Sequence, residues 1–261
     1  VWIGTTKGLS AIGENTNALH SIGTSSNTLF GLTSENVWSF YAQKNALFIG
    51  TDLGISKYNS TTGQFTHYPF KGINKKAKDY TIMDIEPLDE THFFLTGFEG
   101  LFMFDSFRGT YTNLRSKNEL LIDRHRKFYA AVRNKNELLI ATAHGVLSYD
   151  TKTHSFREIH YLNNAVFRGF YVDHRGTIWT ICDKLGLCTI DLTKKGGQIK
   201  PHEMNRFIQQ FTSDHISTFI ETEPGTFFLG TLGSGIIAVN ISQGTCFRIT
   251  KKEGLNNECI N

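Results

Sequence analysis

The sequence predicts an all-β fold assembled from repeated four-stranded units, and three observations predict it. Phe occurs 21 times and Gly 24 times against only four Pro, a composition that suits aromatic-rich strands closed by glycine turns. A glycine-anchored motif recurs at Gly8, Gly54, Gly100, Gly145, Gly186 and Gly235, in steps of 46, 46, 45, 41 and 49 residues. Each step holds four short apolar segments separated by turn chemistry.

The elements follow in order within each unit. Strand a is a short apolar segment: Val37 to Phe40, Ile82 to Ile85, Tyr129 to Val132, Phe167 to Phe170 and Ile216 to Phe219. Strand b is the run that ends just before the glycine, clearest in Phe48-Ile49-Gly50-Thr51 and Leu139-Ile140-Ala141-Thr142, with Trp2-Ile3-Gly4-Thr5 matching them. Strand c starts at the anchor glycine and is apolar one and four residues later. In five of six copies it stops at an Asp or Asn, namely Asn59, Asp105, Asp150, Asp191 and Asn240. Such side chains bond their own backbone two residues on and end strands in turns. Strand d carries Leu19, Phe65, Tyr111, Phe156, Ile199 and Phe247.

Four antiparallel strands in about 45 residues, repeated in tandem, describe the blade of a β-propeller. Residues 1–261 read as a single propeller region with six repeats. The closing Gly254-Leu255-Asn256-Asn257-Glu258-Cys259-Ile260 matches Gly31-Leu32-Thr33-Ser34-Glu35-Asn36-Val37, so a sixth strand a is expected at Ile260. Two closures stay open: Ile260 seals a six-bladed ring against Trp2, or the repeats belong to a larger propeller. Val1 opens in mid-repeat, so the chain reads as a fragment whose targeting signals lie outside it.

Composition narrows the function. With 27 Lys and Arg against 24 Asp and Glu the net charge is +3, too near neutral for a dedicated nucleic-acid carrier. No apolar run approaches the ~20 residues of a membrane span. Cys182, Cys188, Cys246 and Cys259 lack the spacing of a zinc site. Cys182 and Cys188 flank a turn and could bridge across a hairpin in an oxidising compartment, or stay buried thiols.

The run [W/F]-I-G-T-x-x-G-[LI]-x-x-[YF]-[DN], then a TG-x-F strand and G-L-x-x-[NE]-x-[VI], resembles the two-component regulator propeller repeat. The resemblance covers nearly the whole chain; Gly97 is displaced relative to Gly50, and Trp179 and Phe228 each carry one extra residue before the second glycine. It implies the extracytoplasmic, periplasmic-side sensor region of a hybrid two-component system, with a histidine kinase elsewhere in the longer protein. It also implies six repeats of a seven-bladed propeller, the closed six-bladed ring being the alternative. The expected partners are an oligosaccharide, the rest of the sensor chain and a second copy of it, with no nucleic acid and a membrane only through segments outside this sequence.

Alternating strand directions put the d-to-a and b-to-c connections on one face, where binding loops are expected. The b-to-c tips carry Lys7, Asp52, Glu99, His144, Lys184 and Ser234, and the starts of strand a carry Asp79, Tyr80, Arg168 and His215. From these, Asp79, Tyr80, His144, Arg168, Lys184 and His215 are the candidate ligand-binding residues. Aromatics at the start of strand a (Trp38, Tyr80, Tyr129, Phe167) suit stacking on a sugar ring, although most such rings belong to blade packing, with Tyr80 the exception. Basic connections with Lys71, Lys75, Lys76, Lys78, Arg115, Lys117, Arg124, Arg126 and Lys127 would favour an acidic oligosaccharide.

No catalytic set, cofactor or metal site is expected. Asp84 and Glu86 come nearest to a carboxylate pair, but Pro87 marks the strand end. Gly230-Thr231-Leu232-Gly233-Ser234-Gly235 lacks the lysine and the helix of a phosphate loop. The competing readings are a channel-site lyase or glycoside hydrolase, and a propeller that only assembles proteins.

Overall fold

The computed structural model describes residues 2–5, 8–12, 19–70, 81–114, 119–125, 127–194, 196–209, 216–253 and 258. Its contacts divide the chain into two compact units, residues 1–131 and 132–261.

The first unit opens with β1 (Trp2–Thr5), β2 (Gly8–Ile12) and β3 (Leu19–Ile22), which form a three-stranded sheet in that order. Next come β4 (Val37–Gln43), β5 (Ala46–Thr51), β6 (Gly54–Asn59) and β7 (Gln64–Pro69), a four-stranded sheet with every strand beside its sequence neighbour. A second such sheet holds β8 (Ile82–Pro87), β9 (His92–Gly97), β10 (Gly100–Asp105) and β11 (Thr110–Asn113). Helix α1 (Glu119–His125) follows.

β12 (Phe128–Asn134) begins the sheet completed by β13 (Glu137–Thr142), β14 (Gly145–Asp150) and β15 (Ser155–Tyr161). Two further sheets lie in the second unit. One holds β16 (Phe167–Val172), β17 (Ile178–Cys182), β18 (Gly186–Asp191) and β19 (Gln198–Pro201). The other holds β20 (Ile216–Glu223), β21 (Thr226–Thr231), β22 (Ile236–Asn240) and β23 (Thr245–Ile249). Between these two sheets runs the single-turn helix α2 (Asn205–Ile208).

Among the described residues all six b-c-d sets form strands where the repeat places them, but five sheets have four strands and the first has three, so the expected count of six complete blades is corrected there to five. Ile260, the expected start of a sixth strand a, lies outside the described residues. Glu258 is inside them, and its carbonyl accepts from Gly235 N–H at 2.8 Å, just as the Glu35 carbonyl accepts from Gly8 N–H at 2.7 Å. The matched segments therefore make the same contact. Helices α1 and α2 were not expected. Both are too short to show a 3.6-residue period, and they sit in d-to-a connections, where α1 buries Ile122 and His125 and α2 buries Ile208.

The repeat pattern has a local physical cause. All six anchor glycines have positive φ, from 71° at Gly186 to 142° at Gly145, a region that side chains disfavour. A Cβ at Gly54 would also lie 2.5 Å from the Tyr68 carbonyl oxygen of the adjacent strand β7. The threonine three residues earlier holds the hairpin. Thr51 Oγ1 donates to the Gly54 carbonyl and Thr142 Oγ1 to that of Gly145, each at 2.9 Å. At the c-to-d turns the predicted Asx bonds form: Asp105 Oδ1 accepts from Phe107 and Arg108 N–H at 2.9 and 3.0 Å, and Asp150 Oδ1 from Lys152 and Thr153 N–H at 2.8 Å.

Packing between neighbouring sheets supplies the core. In the first unit, Phe48 and Ile55 of one sheet meet Ile85, Phe93, Leu95, Phe102 and Phe104 of the next. In the second, Trp179, Ile181 and Leu187 meet Phe227, Leu229, Ile237 and Val239, with Met204 and Ile208 beside them. Burying such a side chain contributes about 1.5–3 kcal/mol, so aromatic strands stabilise the sheet stack as well as the strands themselves.

The displaced Gly97 leaves a mark. It faces Gly100 where other repeats have the hairpin threonine, and Thr96 has moved one place inward. Its Oγ1 is the one buried side-chain polar atom without a hydrogen-bond partner among the described residues.

Candidate functional site

The residues expected to bind ligand divide by where they fall. Asp79, Tyr80 and His215 lie outside the described residues, as do Lys7 and the lysines from Lys71 to Lys78. His144, Arg168 and Lys184 are described, and the structure brings all three to one connection, residues 162–166, between β15 and β16.

That connection is held from two hairpins. On the β13–β14 side, Thr142 Oγ1 supports the tip by accepting from His144 N–H at 3.3 Å. The His144 carbonyl then accepts from Leu162 N–H at 2.9 Å, and its ring Nδ1 accepts from Asn164 N–H at 3.0 Å. An accepting Nδ1 places the ring proton on Nε2, so the bond needs a neutral imidazole. The Tyr161 ring stacks nearby, with centroids 6.2 Å apart. Asn164 has φ 54°, a left-handed conformation that asparagine tolerates better than most residues.

On the β17–β18 side, Lys184 Nζ donates to the Asn163 carbonyl at 2.8 Å, and Asp183 N–H donates to the Val166 carbonyl at 3.0 Å. Arg168 makes a fork with Asp183, Nε to Oδ1 at 2.8 Å and Nη2 to Oδ2 at 3.0 Å, and the two side chains are only 28% and 15% exposed. Arg168 is thus committed to a planar, bidentate pair. The exposed faces of Asn163 and Asn164 stand between these fixtures. Neither asparagine was singled out from the sequence; the signal was an Asn-Asn pair in a five-residue connection.

Other tips do similar structural work. Asp52 accepts from the Ser34 hydroxyl and, at 2.9 Å, from Asn36 Nδ2, which binds the b-to-c tip to the start of β4. Asp183 with Arg168 is the charged version of the same link. Lys127 lies 4.3 Å over the Phe98 ring, so this member of the basic connections is partly engaged by an aromatic face.

The aromatics expected at strand a separate clearly. Phe167 is buried, and Tyr129 is half-buried with its ring 6.0 Å from that of Phe98. Trp38 is 46% exposed and Phe40 of the same strand 43% exposed, so β4 holds exposed rings among the described strands a.

No enzyme-like constellation forms among the described residues, and no group of three or more metal-ligating side chains occurs there. Ser56 Oγ lies 2.9 Å from His67 Nδ1, but Ser56 is fully buried and His67 Nε2 meets the Thr28 carbonyl at 2.7 Å. This chain of bonds pins the loop before β4 to β6 and β7. Asp84 accepts from Ala131 N–H at 2.8 Å and from Ile85 N–H at 2.9 Å, while burial pushes its carboxyl up to about 6.

Cys182 and Cys188 are free thiols and both buried. Cys182 pairs with Gly186 and Cys188 with Thr180, so the cysteines are diagonal rather than opposite. Diagonal neighbours on adjacent strands are about 7–8 Å apart, beyond the usual Cα separation of a bridge. Burial pushes the Cys188 thiol up to about 12, which makes it inert.

No family model matches the chain, and no curated protein does. Solved structures do. The extracellular domain assigned to one hybrid two-component system of B. thetaiotaomicron aligns over 99% of this chain at 18% identity and TM-score 0.72, and that of a second such system over 99% at 19% identity and TM-score 0.75. The fold is a β-propeller. The chain spans about a third of the length of these two domains, 34% and 33%. A third match, YCF48 bound to D1 peptide, aligns over 97% of this chain and 78% of its own at 11% identity and TM-score 0.64. In propeller terms, the 162–166 connection joins consecutive blades and is fastened by the b-to-c tips of both.

Proposed function

We propose that this chain is a non-enzymatic, ligand-sensing part of an extracytoplasmic sensor in a hybrid two-component system, which signals to a histidine kinase elsewhere in the longer protein. The observation that carries the reading is the likeness in fold, over nearly the whole chain, to two domains described as extracellular parts of such systems. The ligand is an oligosaccharide, read by the d-to-a and b-to-c loops with Asp79, Tyr80, His144, Arg168, Lys184 and His215 as the residues around it. In this reading the six repeats are part of a larger seven-bladed propeller.

The chemistry of the described loop supports a polar, hydroxyl-rich ligand. Asn163 and Asn164 offer exposed amide groups on a fixed turn, and the exposed rings of Trp38 and Phe40 offer stacking surface in the first unit. Rigid, pre-arranged groups bind with less loss of conformational entropy than mobile ones.

The test is a thermal-shift screen of the intact protein against neutral and acidic oligosaccharides, with product analysis on every hit. A saturable shift without turnover is the expected result. Cleavage of a bound sugar would hand the case to an enzyme. A protein-assembly reading has one observation in its favour, the likeness in fold to a protein described with a bound peptide, and it predicts no shift with any sugar.

A further inference from the structure

The connection 162–166 has an acceptor that works in only one charge state. The His144 ring takes the Asn164 N–H through Nδ1 at 3.0 Å, and histidine is the side chain whose ordinary charge change falls between pH 5 and 8. A protonated ring carries N–H at both nitrogens, so Nδ1 would oppose a donor with a donor. No such exclusivity applies to the other fixtures. Backbone carbonyls of His144, Asn163 and Val166 accept whatever the pH, and the Arg168 fork to Asp183 does not involve the imidazole.

We propose that residues 162–166 form a proton-sensitive turn, clasped while His144 is neutral and released at Asn164 when His144 takes a proton. The consequence for signalling rests on the sensing reading: the same turn presents Asn163 and Asn164 to the ligand, so acid would alter the site's shape without touching the rest of the blade.

Among the described residues, ionisable groups stand on each element beside the His144 ring, with Arg157 and Glu158 also on β15. Tyr161 and His160 come from β15, the latter with its ring 6.1 Å from that of Phe167. From the β17–β18 hairpin come Lys184, whose amine is held by the Asn163 carbonyl, and Asp183, whose carboxylate is held by Arg168. The nearby carboxylate is thus already paired, while Lys184 would repel a second cation.

The test is hydrogen exchange by mass spectrometry on the intact protein between pH 7.5 and 5, expressed as protection so that intrinsic pH effects cancel. Protection of peptides covering 162–166 should fall about tenfold on acidification, the size expected from losing one hydrogen bond, while the turn at 59–63, capped by the non-titrating Asn59 side chain, stays constant. His144→Gln supplies a neutral acceptor and should show no such fall. Equal loss in both proteins, or none in the native one, overturns the proposal. If the variant does not fold, the contrast between the two turns within the native protein decides alone. No sugar enters the measurement, so a failed ligand screen and a failed switch are distinguishable.

Discussion

Asp84 gives the fold a dependence on pH whose sign is unusual for a carboxylate. It stands half-buried on β8, receives two backbone N–H bonds and no cation, and its carboxyl is pushed by burial from 3.8 to about 6 despite those bonds. A carboxyl with a raised value in the folded state binds its proton more tightly there than in the unfolded chain. Its stabilising contribution is complete below about pH 4, is lost as pH rises through 6, and stays lost above. A shift of about two units corresponds to ~3 kcal/mol across that window. Asp84→Asn removes the titration. The amide oxygen can still accept one of the two N–H bonds, but its NH₂ opposes the other, at a cost of about 1–3 kcal/mol that does not vary with pH. Urea unfolding of native protein and variant, followed from pH 4 to 8, should therefore give a stability difference that changes by roughly 2–3 kcal/mol between pH 4.5 and 7, the variant gaining relative to the native protein as pH rises. Carboxylates elsewhere titrate equally in both proteins and drop out of the difference. A difference that is flat with pH would refute the reasoning.

Other consequences are directly measurable. Gly145→Ala puts a Cβ at φ 142° into the carbonyl of His160, so melting should show a loss of about 2 kcal/mol or more, larger than for Gly63→Ala, where a Cβ meets open space at φ 70°. Phe93→Ala removes a ring with no exposed surface from between two blades and should cost about 3–5 kcal/mol in denaturant unfolding. Burial raises the Glu221 carboxyl, but N–H bonds from Gly225 and His174 and the His174 ring more than offset this and hold it below its usual range. Its support is present above the unfolded value and lost as pH falls through the folded one, so Glu221→Ala should lower stability by about 2 kcal/mol at pH 7 and by little near pH 2, read by unfolding at both. Arg168→Lys cannot reproduce the fork to Asp183 and should loosen the 162–166 turn, seen as faster amide exchange there.

Much of the fold was legible because the repeat is written in residues with local geometric duties. A glycine at positive φ, a threonine closing the hairpin and an Asp or Asn capping the next turn all act within a few residues, so spacing alone exposes them. What was not legible depends on distant partners. That Arg168 answers to Asp183, that His144 accepts from Asn164 and that Ser56 meets His67 are facts about side chains brought together across loops. The short helices α1 and α2 escaped for another reason, since a turn or two leaves no periodicity to read. Of the aromatics, Trp38 stands one place beyond the position that Phe167 fills, where its own strand has the buried Val37, so strand alternation separates the exposed ring from the buried one.

The strand order has a consequence for how the chain acquires its structure. In every sheet each strand lies beside its sequence neighbour, so pairing requires closing only short loops. A four-stranded meander can thus form before the next has been synthesised, each completed face offering its aromatics as a template for the following one. Assembly should start in any one sheet and spread to its sequence neighbours, since each repeat is local in the chain.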